Sequence, residues 1–151
     1  IKENKKEILL IIGDGEEKDK LNELIKKKSV SNNIFILSKI NNAYPFMKKA
    51  KALILPSLWE EVGFVIVEAA FSNLFVISSD CPNGPKEFLE NGNAGYLFKS
   101  NAPSELKNKI KNFVNEEKNL KRFKLKAKKN SSNYTLFRHH LGLSKILIHE
   151  A

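Results

Sequence analysis

The sequence is short of cysteine, histidine, arginine and long apolar stretches. A single cysteine, Cys81, excludes an internal disulfide and a zinc cluster built on cysteines. It precedes Pro82, and the three histidines, His139, His140 and His149, all lie far along the chain. Cys81 therefore lacks the nearby base a nucleophile needs and reads as a bystander thiol. His139 and His140 are adjacent, so they point to different faces of a helix and do not form a metal pair. No apolar run approaches the roughly 20 residues that cross a bilayer. The opening "IKENKKEILL" lacks the apolar stretch and small-residue cleavage site of a signal peptide. Arg122 and Arg138 are the only arginines, few for a protein that reads bases through bidentate forks. With no nucleic-acid-binding motif either, no nucleic-acid partner is expected. The only methionine is Met47 and the first residue is Ile1, which predicts a piece of a longer polypeptide.

What is abundant is lysine. The net charge is +9, which fits either an acidic or phosphorylated partner or lysine-rich solvated faces. The 151 residues are enough for a real hydrophobic core.

Short runs rich in β-branched residues recur between helical patterns. "EILLIIG" (7–13) reads as a strand buried on both faces, and "DGEEKDKLNELIKKK" as a helix starting at Asp14 or Gly15. Leu21, Leu24 and Ile25 form its apolar stripe. "NIFIL" (33–37), "ALIL" (52–55), "LFVISS" (74–79) and "AGYLF" (94–98) are further strands. Helices are predicted over 44–50, 64–72 and 84–92, the last with Pro85 near its start. Strand and helix alternating at this spacing predict α/β architecture: a Rossmann-like parallel sheet with flanking helices. From Pro103 onward the pattern is helical, one helix with Leu106, Ile110, Phe113 and Val114 on a face, then a turn at "NSSNY" and a last amphipathic helix. This predicts an α/β domain over 1–102 and a helical extension over 103–151.

The chemistry sits in "PSLWEEVGFVIVEAA" (56–70). Ligands bind at the carboxyl ends of strands in such sheets, and Pro56 to Phe64 leaves one such end. The following helix starts near Gly63 or Phe64, where free N–H groups favour a phosphate. Glu60 lies at the loop mouth. Glu68 lies among Phe64, Val65, Ile66, Val67, Ala69, Ala70 and Phe71, where an unpaired charge is costly, so it needs a partner or an opening. A carboxylate there can accept two hydrogen bonds from a vicinal diol of a ribose or sugar. Trp59, beside Glu60, is either a core aromatic or a platform for a sugar face. "GDGEEKDKL" carries Gly13 and Gly15 after a strand but lacks the third glycine of a dinucleotide fingerprint, which disfavours an NAD-binding domain.

"PSLWEEVGFVIVEAA" resembles the C-terminal-domain signature of retaining glycosyltransferases of family 4, which have the GT-B fold. That signature pairs two glutamates with seven residues between them, matched here by Glu60 and Glu68. "NNAYPFMKKAKALILPS" and "SSDCPNGPKEFLENGNAGYLF" resemble the segments before and after it. The resemblance covers residues 8 to 98 well and the tail loosely. It implies a glycosyltransferase, in its intact form, binding a nucleotide-diphosphate sugar, UDP-hexose or UDP-N-acetylhexosamine, for retaining transfer to a glycan or lipid-linked acceptor. Glu68 would hold the donor ribose and Glu60 the transferred sugar. Backbone N–H groups at Gly63, Phe64 and Val65 would face the sugar and diphosphate. The Ile36–Ile40 region, with Ser38, would flank the base, and Gly13 and Gly15 would border the donor.

The resemblance implies no metal and no cofactor beyond the donor. It also implies that the first strand and helix of the domain, their diphosphate-binding Arg and Lys, and an acceptor-binding N-terminal domain precede Ile1, so that this piece alone is inactive. A cytoplasmic location is implied. The final helix then suits either a peripheral contact on the inner face of a membrane or packing on the preceding domain. The family's Gly-Phe after the first glutamate is Glu61-Val62 here, which leaves room for an alternative: a non-catalytic sugar-nucleotide-binding module.

Overall fold

The computed structural model describes residues 7–116 and 120–149. The chain divides into two compact units, Ile1–Ala43 and Tyr44–Ala151.

In the first unit, strand β1 (Leu9–Ile12) leads through helix α1 (Lys18–Lys27) to β2 (Ile34–Leu37). The strands pair in parallel, Leu9 opposite Ile34 and Ile12 opposite Leu37. Val30 is the unit's buried hydrophobic residue among those described. β1 was expected to be buried on both faces. It is half-buried instead, and Ile12 is exposed, because a two-stranded sheet behind one helix leaves much of its surface uncovered. α1 begins at Lys18 rather than at Asp14 or Gly15, since the Asp14 carboxylate is engaged elsewhere, as described below. Of its expected stripe, Leu21 and Ile25 are half-buried and Leu24 is exposed. Lys26 and Lys27 close the last turn, where cations suit the helix dipole.

The second unit holds α2 (Tyr44–Lys49), β3 (Ala52–Leu55), α3 (Phe64–Phe71), β4 (Phe75–Ser79), α4 (Pro85–Phe88), β5 (Tyr96–Phe98), α5 (Pro103–Asn115), α6 (Lys121–Ser131) and α7 (Leu136–His149). Its strands run parallel in the order β3-β4-β5. Central β4 is buried at every residue, which is why "FVISS" is almost continuously apolar. Phe75 anchors the core: it meets Tyr96 edge-on at 4.9 Å and Phe113 of α5 at 5.3 Å between ring centres. Leu120 and Phe123 close the same cluster. Burying one such ring stabilises by roughly 1.5–3 kcal/mol. α3 packs against α6 and β4 through Ile66, Ala69 and Ala70, all fully buried.

Three expectations change. The single sheet is two parallel sheets, of two and three strands, because strand alternation sets the number and order of strands but not their pairing. The long helix from 104 to 130 is two helices, α5 and α6. α5 stops where the Tyr96 hydroxyl donates to the Glu116 carboxylate at 3.0 Å, and Leu120 is buried at the start of α6. The helix over 84–92 is four residues of α4 and a 3₁₀ turn, because Glu90 and Asn91 adopt left-handed backbone conformations. The expected boundary at 102/103 falls inside the second unit, where α5 supplies Phe113 to the core shared with β4 and β5. α7 exposes Leu136, Phe137, Leu141, Leu143, Ile146, Leu147 and Ile148.

Candidate functional site

The loop from Pro56 to Gly63 leaves the carboxyl end of β3 and is held at several points. The Ser79 hydroxyl, at the end of β4, donates to the Ser57 carbonyl at 2.6 Å. The Ser57 hydroxyl donates to Oε1 of Glu60 at 2.6 Å. The Glu60 N–H reaches the Pro82 carbonyl at 3.4 Å. Gly84 packs beneath the turn so closely that a Cβ there would lie 2.6 Å from the Val62 carbonyl oxygen. Gly63 is left-handed (φ 66°, ψ 53°) and immediately precedes α3. Glu61 and Val62 have no positive φ, so the turn needs no glycine at either position. The Glu61-Val62 departure from the family pattern is therefore accommodated by the backbone of this turn.

No side chain caps α3 at Gly63, so the N–H groups of its first turn are directed outward from the helix end. The dipole there favours negative charge. Phe64 is exposed and Val65 half-buried. One turn further on, Glu68 lines a cavity of about 300 Å³ with Tyr44, Phe64, Val67, Phe71, Ser131, Tyr134 and Thr135. This answers why a carboxylate lies in an apolar helix: the buried residues of α3 are Ile66, Val67, Ala69 and Ala70, and Glu68 lies on the wall of an opening. A carboxylate, four aromatic rings and four hydroxyls, two of them phenolic, around a space at the lower end of small-molecule pockets suit a ligand with both hydroxyls and flat or apolar faces. Burial, and then the charge of Glu87, push the Tyr134 hydroxyl pKa up, so the cavity presents it as a neutral phenol.

In the first unit, Gly13 and Gly15 line a separate cavity of about 200 Å³ with Ile11, Asp14, Glu17, Lys18, Leu21 and Ile36. Lys18 pairs with Asp14 at 2.7 Å and donates to the Ser38 hydroxyl at 2.9 Å. Asp14 also accepts the Lys39 N–H at 2.9 Å. The Lys18 hydrogen bond, then that from Lys39, hold the Asp14 carboxyl below its usual pKa. Gly13 and Gly15 thus line one cavity with Lys18, whose ammonium Ser38 accepts from, and Glu60, Gly63, Phe64, Val65 and Glu68 share one loop and helix of the second unit.

Sequence reasoning missed Lys18; its only sequence signal was the four-residue spacing from Asp14. It also missed the wall formed by Ser131, Tyr134 and Thr135, for which the sequence held no local signal. Among the described residues no three His, Cys, Asp or Glu side chains converge as a metal site.

Comparison with known proteins bears on the family and the fold. The family model of the group 1 glycosyl transferases matches residues 1–130, and the chain belongs to that family. An uncharacterized glycosyltransferase of Methanocaldococcus jannaschii is 44% identical over 81 residues, 54% of this chain and 20% of that protein. The poly(ribitol-phosphate) alpha-N-acetylglucosaminyltransferase of Staphylococcus aureus is 28% identical over 120 residues, 80% of this chain and 24% of that protein. A solved S. aureus TarM mutant, in complex with Fondaparinux, alpha-GlcNAc-glycerol and UDP, superposes with a TM-score of 0.76 at 28% identity, covering 82% of this chain and 25% of that one. The α/β architecture with parallel sheets matches GT-B glycosyltransferase domains. The chain spans a quarter or less of the length of the two curated relatives described.

Proposed function

We propose, from membership of the group 1 glycosyl transferases, that this chain is the donor-binding part of a UDP-sugar-dependent, retaining glycosyltransferase. The observation that carries it is Glu68, a carboxylate on an apolar helix that lines a cavity with rings and hydroxyls, one turn into a helix whose first turn no side chain caps. In this reading Glu68 accepts hydrogen bonds from the two ribose hydroxyls. The uncapped N–H groups from Gly63 to Val65 face the diphosphate and sugar. Glu60, fixed by the Ser57 hydroxyl, accepts a hydroxyl of the transferred sugar.

Transfer proceeds on one face of the sugar. The bond from the anomeric carbon to the diphosphate oxygen breaks, the acceptor oxygen bonds to the same carbon, and the acceptor proton passes to the leaving diphosphate. Charge held by the uncapped N–H groups stabilises that leaving group as it develops. No metal and no further cofactor enters this scheme. The acceptor is a glycan or lipid-linked saccharide, and an N-acetylhexosamine as the sugar transferred is consistent with the N-acetylglucosaminyl transfer in the name of the S. aureus relative. No helix among the described residues is long and apolar enough to cross a membrane. The exposed apolar side chains of α7, together with Arg138 and Lys145, suit a peripheral contact with the inner membrane face.

The test is to incubate the natural full-length polypeptide with UDP-glucose, UDP-galactose and their N-acetylhexosamine counterparts. UDP release and the anomeric configuration of the first sugar product are followed by NMR. Release with the α configuration retained is expected. An inverted product excludes the retaining mechanism. UDP binding without release from any donor or acceptor mixture supports the non-catalytic module instead.

A further inference from the structure

Trp59 is the chain's only tryptophan, and its place is unexplained by packing. It is 58% exposed, and the preceding Leu58 is 68% exposed. The other rings of the second unit's interior pair with each other: Phe75 with Tyr96, Phe113 and Phe123, and Phe88 with Tyr134. Trp59 enters none of these pairs. Nor does it sit on a loose segment. Ser57 before it is held by the Ser79 hydroxyl, Glu60 after it is held by Ser57 and Pro82, and the turn beyond rests on Gly84. A large apolar ring is thus held in solvent by a tied loop, adjacent in the chain to a half-buried carboxylate that accepts from the Ser57 hydroxyl through one of its two oxygens.

We propose that Trp59 is the platform for the transferred sugar of the donor. This rests on the donor-binding reading above and adds to it a division of labour: Glu68 holds the nucleoside, while Trp59 and Glu60 read the sugar. The physical match is specific. The face of an aromatic ring is negative through its quadrupole. One face of a pyranose is a patch of C–H groups made positive by the neighbouring oxygens, while its hydroxyls project at the rim. An exposed indole followed in the chain by a carboxylate supplies a group for each feature, indole for the apolar face and Glu60 for a rim hydroxyl. A nucleoside diphosphate without its sugar has nothing to place on Trp59.

The experiment compares UDP with UDP-glucose, UDP-galactose, UDP-N-acetylglucosamine and UDP-N-acetylgalactosamine, by calorimetry on the full-length protein. Wild type, Trp59→Ala, Trp59→Phe and Glu68→Ala are measured. The ratio of each donor's affinity to that of UDP is the readout. In Trp59→Ala this ratio falls by about fivefold for at least one donor while UDP itself binds as in wild type, and Trp59→Phe restores most of it. A ratio unchanged for all four donors overturns the proposal. So does an equal loss for UDP and every donor, which makes Trp59 structural. Glu68→Ala separates the two levels. If it leaves UDP binding intact, the donor-site reading itself fails; if it abolishes UDP binding while Trp59→Ala changes no ratio, only the platform fails.

Discussion

The two compact units share a local plan, parallel strands joined through a helix, yet they bury it very differently. The second unit encloses β4 completely and stacks aromatic rings around Phe75. The first has one buried hydrophobic residue, Val30, among its described residues, and its helix buries none. Their polar edges differ in the same sense. In the first unit Asp14, Lys18 and Ser38 satisfy one another. In the second, Glu68 lines an open cavity and Trp59 stands in solvent. Where a core is complete, the fold can hold groups open towards a ligand; where it is thin, charged groups mostly hold the loops to each other.

Substitutions can break or sharpen this contrast. The largest effect is expected at Phe75. Phe75→Ala removes the ring at the centre of the cluster and should cost roughly 3–5 kcal/mol, read as a lower urea midpoint. Gly84→Ala comes next. Its new Cβ meets the Val62 carbonyl at 2.6 Å, and its φ of +100° is one that L side chains rarely adopt. Strain of about 1–3 kcal/mol follows, with the 60–63 turn displaced, seen as weaker UDP-sugar binding together with a lower melting temperature. Phe35 is the first unit's counterpart to Phe75, but it is 46% exposed. Phe35→Ala should therefore cost no more than about 1 kcal/mol. A loss comparable to that of Phe75→Ala would show that the first unit carries a core as consequential as the second.

The smallest effect is at Asp14. Its folded pKa is depressed, by Lys18 first and by the Lys39 N–H next. Its contribution to stability is therefore fully present above the unfolded-state pKa and is lost as pH falls through the lower folded value. The urea midpoint of wild type should exceed that of Asp14→Asn at neutral pH, and the difference should shrink under acid. Because the pair is exposed, it should shrink with added salt as well. A difference that grows on acidification would contradict the assignment of the Lys18 partner.

Much of this was legible in the sequence. The runs "LLII", "IFIL", "ALIL", "FVISS" and "YLF" are strands because β-branched and apolar residues cluster between glycine, proline and charged stretches. Glu68 stood out because a carboxylate among apolar neighbours needs a reason. Pairing did not show, since the sequence pattern is the same whether five strands form one sheet or two. Helix ends were set by tertiary contacts the pattern lacks: Glu116 by Tyr96, and Asp14 by Lys18 and Lys39. The opposite wall of the Glu68 cavity comes from Ser131, Tyr134 and Thr135, far along the chain, where nothing local marks them. Exposure of Trp59 was equally hidden, because an indole beside a carboxylate looks the same whether it packs inward or stands free.

The central claim, that Glu68 holds the diol of a UDP-linked donor, is tested most directly by titrating UDP into the full-length protein and its Glu68→Gln variant at constant salt. The charge and one of the two acceptor oxygens are lost while the side-chain volume is kept, so UDP should bind about tenfold more weakly, with the melting temperature without ligand unchanged. UDP binding of equal strength in both proteins would contradict the account and remove Glu68 from the site.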